Sequence, residues 1–283
     1  MATSIRRKAQ EAGAVGLLLG LSGGVDSSTL AALCTRAVEP QMVHAVYLHD
    51  RFSAPRLRSC ARTVAEHLSI DFHEQSITSR MQARGLYASP GMRITGFAGW
   101  FNRLLYKLFL RSTGETPFLS TLKAHGSQPE AWYGSILAQA EAGMNARHRH
   151  RRQVLESLAH DENWLLLGAA NRSEWMVGWF VKGGVDDLPE QPLIGLYKTQ
   201  VRQLAQYLGV PNCVLANQPS PDMIPGISDE FGLNLDYAKL DLILEHFQGS
   251  LAAEELARNG IGQDQIDYAR ELMESSSWKR DPP

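Results

Sequence analysis

The chain holds 283 residues, 44% of them apolar, with 28 Lys and Arg against 30 Asp and Glu. That apolar content supports a full buried core, and a formal net charge of -2 excludes the basic footprint of a generic nucleic-acid binder. Three cysteines (Cys34, Cys60, Cys213) lack any C-x-x-C spacing, so neither a disulfide framework nor a zinc site is expected. No apolar run approaches the roughly 20 residues that span a bilayer, and the opening MATSIRRKAQEAGAV lacks a signal peptide's apolar stretch and cleavage site. A cytoplasmic protein is expected.

In chain order, residues 15–21 read as a β-prone apolar run, followed by a glycine-rich turn and a helix over 27–36 that carries Leu30, Leu33 and Cys34 on its apolar face. A second strand is predicted at 42–48, a helix at 55–68 and a shorter strand at 70–73. Between 85 and 128 the pattern loosens into glycine, proline, serine and aromatic residues around one amphipathic stretch, ITGFAGWFNRLLYKLFL. We read this as an inserted helical flap, either a lid or a dimer contact; a membrane-surface helix is the alternative for its aromatic face. A helix follows at 133–159, a strand at 164–168 and a helix at 199–208. The alternation implies a doubly wound, mostly parallel α/β sheet with helices on both faces, all of 1–283 forming one domain. Ligands bind such sheets at the carboxyl ends of the strands, so the turns after Leu21, Leu48 and Gly168 should carry the chemistry.

The most informative stretch runs from Gly20 to Ser28, GLSGGVDSS. Gly20, Gly23 and Gly24 let backbone approach a phosphate, the amides of the helix start aim partial positive charge at it, and Ser22, Ser27 and Ser28 add hydroxyl donors. An acidic residue here repels a phosphate unless a divalent cation stands between them, so Asp26 implies Mg2+ bridging carboxylate and ATP. The bland alternative is a glycine turn in which Asp26 or Ser27 merely caps a helix. No Lys-Ser or Lys-Thr pair follows the glycines, which excludes a Walker A loop.

The string resembles the SGGxDS loop of the N-type ATP pyrophosphatases, the PP-loop superfamily, which cleave ATP to AMP and pyrophosphate while an oxygen of the substrate attacks the α-phosphorus. Within that superfamily GAANRSEWMVGWFVK (168–182) and LIGLYKTQVRQLAQYLGVP (193–211) resemble the ammonia-dependent NAD synthetases. The resemblance implies Glu174 as a ligand of a second magnesium and Lys198 as the lysine at the ATP phosphates. It places Ser220 and Asp222 at the ligand, Asp229 and Glu230 in the acidic turn that follows, and Arg147 of the RHRHRR run (147–152) as a clamp on a substrate phosphate. Read without the resemblance, Glu174 is a first-turn glutamate favoured by the helix dipole, Lys198 a solvated lysine and the basic run a solvated helix face. Two departures stand out: Gly143 replaces the family's asparagine, and KGGVDD (182–187) is three residues shorter than the family's KYGDGGVD, leaving Asp186 or Asp187 to replace the missing aspartate.

The activity implied is an amide ligation. A carboxylate is adenylated by ATP, and ammonia displaces AMP, with deamido-NAD as acceptor and a weakened acceptor pocket that Gly143→Asn plus the three missing residues should partly restore. Ammonia is expected from solution or from a separate glutaminase, and the enzyme is expected to be a homodimer. Two rivals remain open: a paralogue adenylating another carboxylate, and a PP-loop sulfur transferase or tRNA-modifying enzyme, for which Cys213 is the relevant thiol.

Overall fold

The computed structural model describes residues 1–125, 132–220 and 222–281. Its sheet holds β1 (Gly16–Gly20), β2 (Val43–His49), β3 (Asp71–Ser76) and β4 (Trp164–Leu167). They lie in the order β3-β2-β1-β4, every neighbouring pair parallel. Leu17 pairs with Val43 on one side and Leu165 on the other, so β1 is central and apolar throughout, as a strand covered on both faces must be. The period of two divides it. Leu17 and Leu19 join Val43, Ala45 and Tyr47 in one core, while Leu18 joins Val46 and Leu48 in another.

The first face is covered by the helices Ala2–Glu11, Val25–Ala37, Pro55–Leu68 and Lys198–Tyr207, and the second by the long helix Trp132–Asp161. Residues 25–34 of the second helix are buried save Asp26, as befits a helix wedged between sheet and outer helices. A third core, built on Leu233, Leu240, Ile243, Leu244 and Leu272, gathers the C-terminal helices Tyr237–Phe247 and Gln263–Ser275.

The inserted segment is helical, as expected. It contains Pro90–Thr95, Gly99–Thr113 and Pro117–Lys123; residues 126–128 of that segment lie outside the described residues. Its loop-like residues are helix punctuation. Ser89 and Thr116 accept the amides of Met92 and Leu119, a proline opens each of those helices, and Gly114 closes the middle one at φ 77°. The helix Pro90–Thr95 lies on the long helix at very close range: a Cβ on Gly91 meets Ile136 O at 2.4 Å, and one on Gly143 meets Met92 Sδ at 2.3 Å.

Candidate active site

The phosphate loop leaves β1 at Gly20 and becomes helix at Val25. Gly23 turns it at φ 77°, where a Cβ stands 2.1 Å from Leu57 O, so this glycine is demanded by the left-handed turn and by packing on the helix Pro55–Leu68. Ser22 and Ser27 tie the loop into a ring: their hydroxyls are 3.0 Å apart, Ser27 Oγ accepts Ser22 N at 3.2 Å and donates to Gly24 O at 3.2 Å. Of the predicted loop residues, Gly20, Ser22, Gly24, Asp26 and Ser27 line one cleft at the carboxyl ends of the strands, together with Glu174, Lys198 and Ser220. Gly23 and Ser28 do not line it; Ser28 is fully buried, two residues on from Asp26 and so turned toward the protein.

Asp26 meets Glu174 through Lys198. Lys198 Nζ donates to Asp26 Oδ2 and Glu174 Oε1, both at 2.6 Å, and stands 3.7 Å from Asp229 Oδ2. Lys198 is 1% exposed. Burial opposes its charge, yet Asp26, Glu174 and Asp229 outweigh that and raise its affinity for the proton. Burial is also the main cause that raises Glu174 above the ordinary carboxylate range, with Asp26 and Asp229 adding to it and Lys198 opposing.

A second residue ties the carboxylates together. Asn171 caps the helix Arg172–Val177 by accepting Glu174 N at 3.0 Å, and its amide donates to Asp26 Oδ1 at 2.9 Å. Ser173 Oγ accepts Lys198 N at 2.8 Å and donates to Asp241 Oδ1 at 2.5 Å, which fixes the start of the lysine's helix. Sequence reading passed over Asn171, Asp241 and Tyr237, whose partners are distant in the chain. The cap signature N-x-x-E at 171–174 was the one signal available.

Arg147 is placed elsewhere than a phosphate clamp requires. It is 0% exposed, paired through Nε with Asp50, and donates through Nη2 to Asp50 Oδ1 at 2.9 Å and through Nη1 to Met223 O at 3.0 Å. Burial opposes the charge on Asp50, but Arg147 and Arg151 outweigh it and hold the carboxyl low. Arg151, one helical turn on, faces the cleft instead. The rest of the basic run is likewise committed: Arg149 donates to Lys182 O, Arg151 to Leu48 O and Arg152 to Asp187 O. Expected as a largely solvated face, it is a seam binding the long helix to the sheet and to the short 182–187 turn.

In that turn Asp186 lines the cleft, 3.4 Å from His148 Nδ1, whereas Asp187 turns back to accept Gly183 N at 2.8 Å. Asp222 also lines the cleft and accepts Ala54 N at 2.8 Å. A second cavity beside the turn is lined by Arg149, Arg152, Lys182, Lys279 and Arg280. Lys279 and Arg280 of the tail act first as caps: Lys279 donates to Gly178 O and Phe180 O, just past the helix that carries Glu174, and Arg280 to Met176 O in that helix's last turn. Cys213 Sγ is pushed up to about 11 by burial and by neighbouring Cys60, the opposite of an activated thiol.

The donor set suits magnesium. At the phosphate loop Asp26 and Glu174, both held on Lys198, offer two hard carboxylates. This is the usual complement for a Mg2+ held chiefly by phosphate oxygens and water. Among the described residues no helix is long and apolar enough to cross a membrane.

The family model described as NAD synthase matches residues 1–92 and 124–283, and so leaves out most of the flap. The NH(3)-dependent NAD(+) synthetase of Thermotoga maritima is 30% identical over 280 residues, covering 99% of this chain and 95% of that protein. Among solved structures, the NMN synthetase of Francisella tularensis superposes with a TM-score of 0.72 at 23% identity, covering 100% of this chain and 93% of the other. The NH3-dependent NAD synthetase of Campylobacter jejuni follows at 0.67 and 20% identity, covering 100% and 94%. These two likenesses establish the fold.

Proposed function

Because this chain belongs to the NAD synthase family, we propose that it is an ATP-dependent amide ligase that converts deamido-NAD to NAD with ammonia. A carboxylate oxygen of the acceptor attacks the α-phosphorus of ATP, the bond to the β-phosphate oxygen breaks, and pyrophosphate leaves. Ammonia then attacks the acyl carbon, loses a proton, and AMP departs with the bridging oxygen. The observation that carries this reading is the meeting of Asp26 and Glu174 across Lys198 at the mouth of an SGGVDS loop. Such a site binds a triphosphate through loop amides and serine hydroxyls and has no Walker lysine with which to favour the γ-phosphate.

Mg2+, when bound, neutralises the phosphate oxygens; Asp26 and Glu174 would hold it. Lys198 offsets the charge that develops as pyrophosphate departs. Asn171 keeps the two carboxylates in register. Loop residues Gly20, Ser22, Gly24 and Ser27 cradle the leaving phosphates, with Ser220 also at the nucleotide, and Asp186 is the aspartate left to meet the acceptor. We further propose a cytoplasmic homodimer that takes ammonia from solution or from a separate glutaminase.

A second reading, a different carboxylate acceptor, is favoured by the 182–187 turn, which brings only one of its two aspartates, Asp186, to the cleft. The test of both is release of AMP and pyrophosphate with ammonia, across deamido-NAD, deamido-NMN and unrelated carboxylates. Efficient turnover of deamido-NAD supports the first reading, preference for another carboxylate the second. ADP and orthophosphate as primary products overturn both.

A further inference from the structure

One ammonium serves three carboxylates at the centre of the cleft, and the three contacts are not equivalent. Asp26 and Glu174 hold Lys198 Nζ at 2.6 Å, whereas Asp229 stands at 3.7 Å, an ion-pair distance beyond hydrogen-bond length. Asp229 is fixed by other groups. Trp179 Nε1 donates to its Oδ1 at 3.1 Å, and Tyr237 Oη lies 3.2 Å from its Oδ2 and 3.2 Å from Glu174 Oε1. The Tyr237 ring centroid is 5.0 Å from Lys198 Nζ, so the space between the lysine and Asp229 is walled by an aromatic face that favours a cation.

Ionised, the three carboxylates exceed the single lysine by two negative charges, the charge of one divalent cation, and the site is buried enough for that imbalance to matter. Lys198 already holds one oxygen of each carboxylate, Asp26 Oδ2 and Glu174 Oε1, and two cations crowded onto one carboxylate pair repel. Lys198 therefore needs another partner close by, and Asp229 is the acidic group within reach.

We propose that Lys198 is an exchangeable counter-ion: its ammonium yields Asp26 and Glu174 to a divalent cation and moves onto Asp229, a positioning residue that keeps the lysine at the cleft beside the phosphates. The inference rests on the proposed ATP chemistry only for naming magnesium as the ion. Its test contains neither ATP nor acceptor, so each can fail without the other.

The test is Mn2+ binding to the full chain, followed by electron paramagnetic resonance, for wild type, Lys198→Met, Asp229→Asn and the double variant. With its competitor gone, Lys198→Met should bind Mn2+ about tenfold more tightly, near 1.4 kcal/mol, and Asp229→Asn about tenfold more weakly. In the Lys198→Met background Asp229→Asn should change nothing, because Asp229 acts through the lysine. Equal weakening in both backgrounds, or no tightening in Lys198→Met, overturns the proposal. If either variant fails to fold, wild-type crystals grown with and without Mn2+ decide it. Lys198 Nζ found on Asp229 beside a Mn2+ anomalous peak supports the exchange; Nζ still bonded to both Asp26 and Glu174 beside that peak refutes it.

Discussion

Asp222 is a carboxylate held in an unfavourable place for its charge. Burial pushes it up to about 6 from an ordinary 3.8, against the opposing pull of Ala54 N and Arg151. Between about pH 4 and 6 the folded protein keeps a proton that the unfolded chain has released, so stability falls as pH rises through that window. Above it the buried charge costs about 3 kcal/mol at 1.4 kcal/mol per pH unit. Asp222 also sits at φ 51°, a conformation asparagine tolerates well. Asp222→Asn should therefore raise the urea-unfolding free energy by about 1–3 kcal/mol at pH 8 and by little at pH 4. An equal gain at both pH values would show that the charge is not the cause.

At the scale of elements, the close crossing of Pro90–Thr95 over Trp132–Asp161 gives a steric reason for glycine at position 143. The place of a side chain there is taken by Met92, whose Sδ and Cγ lie 2.3 and 2.5 Å from a Cβ built on Gly143. Gly143→Asn is then not a simple restoration of an acceptor contact. It should lower stability by about 1–3 kcal/mol, the cost of overpacking. Met92 is flexible and on the same contact, so the penalty should largely vanish when Gly143→Asn is added to Met92→Ala, which thermal denaturation of the four proteins would reveal. An undiminished penalty would place the strain in the backbone.

Taken whole, the molecule presents an apolar ridge to solvent on the flap. Phe97, Trp100, Leu104 and Leu108 are 53%, 71%, 45% and 54% exposed and recur at helical spacing on one side of the flap, which Asn102 and Arg103 tie to Pro225 O and Gly226 O. If the proposed homodimer forms through this ridge, Trp100→Glu with Leu104→Glu should convert a sedimenting dimer to a monomer at the same loading concentration, because buried charge without a partner is costly. A variant that remains dimeric would assign the interface to another surface.

Much of this was legible before any tertiary contact was known. The parallel sheet follows from apolar runs alternating with helical periodicity, and the cleft from the rule that turns at strand ends bind ligands; the glycines and serines of residues 20–28 mark its phosphate loop because strand, turn and helix start are encoded within nine consecutive residues. What tertiary structure alone decided concerns partners distant in the chain. Lys198 and Asp26 are 172 positions apart, and no local signal distinguishes a lysine clamped by carboxylates from a solvated one. Arg147 and Arg151 look alike in a basic run, and only the seating of their helix on Asp50 sends one inward and the other to the cleft. The flap's helical character was legible in its amphipathic stretch, but the bounds of its helices were not, because serine, threonine, proline and glycine are turn formers in isolation. Packing against the long helix and the 225–226 loop made them caps. Periodicity and capping act over a few residues and can be read from order alone, whereas charge pairing and steric fit depend on which surfaces the folded chain brings together.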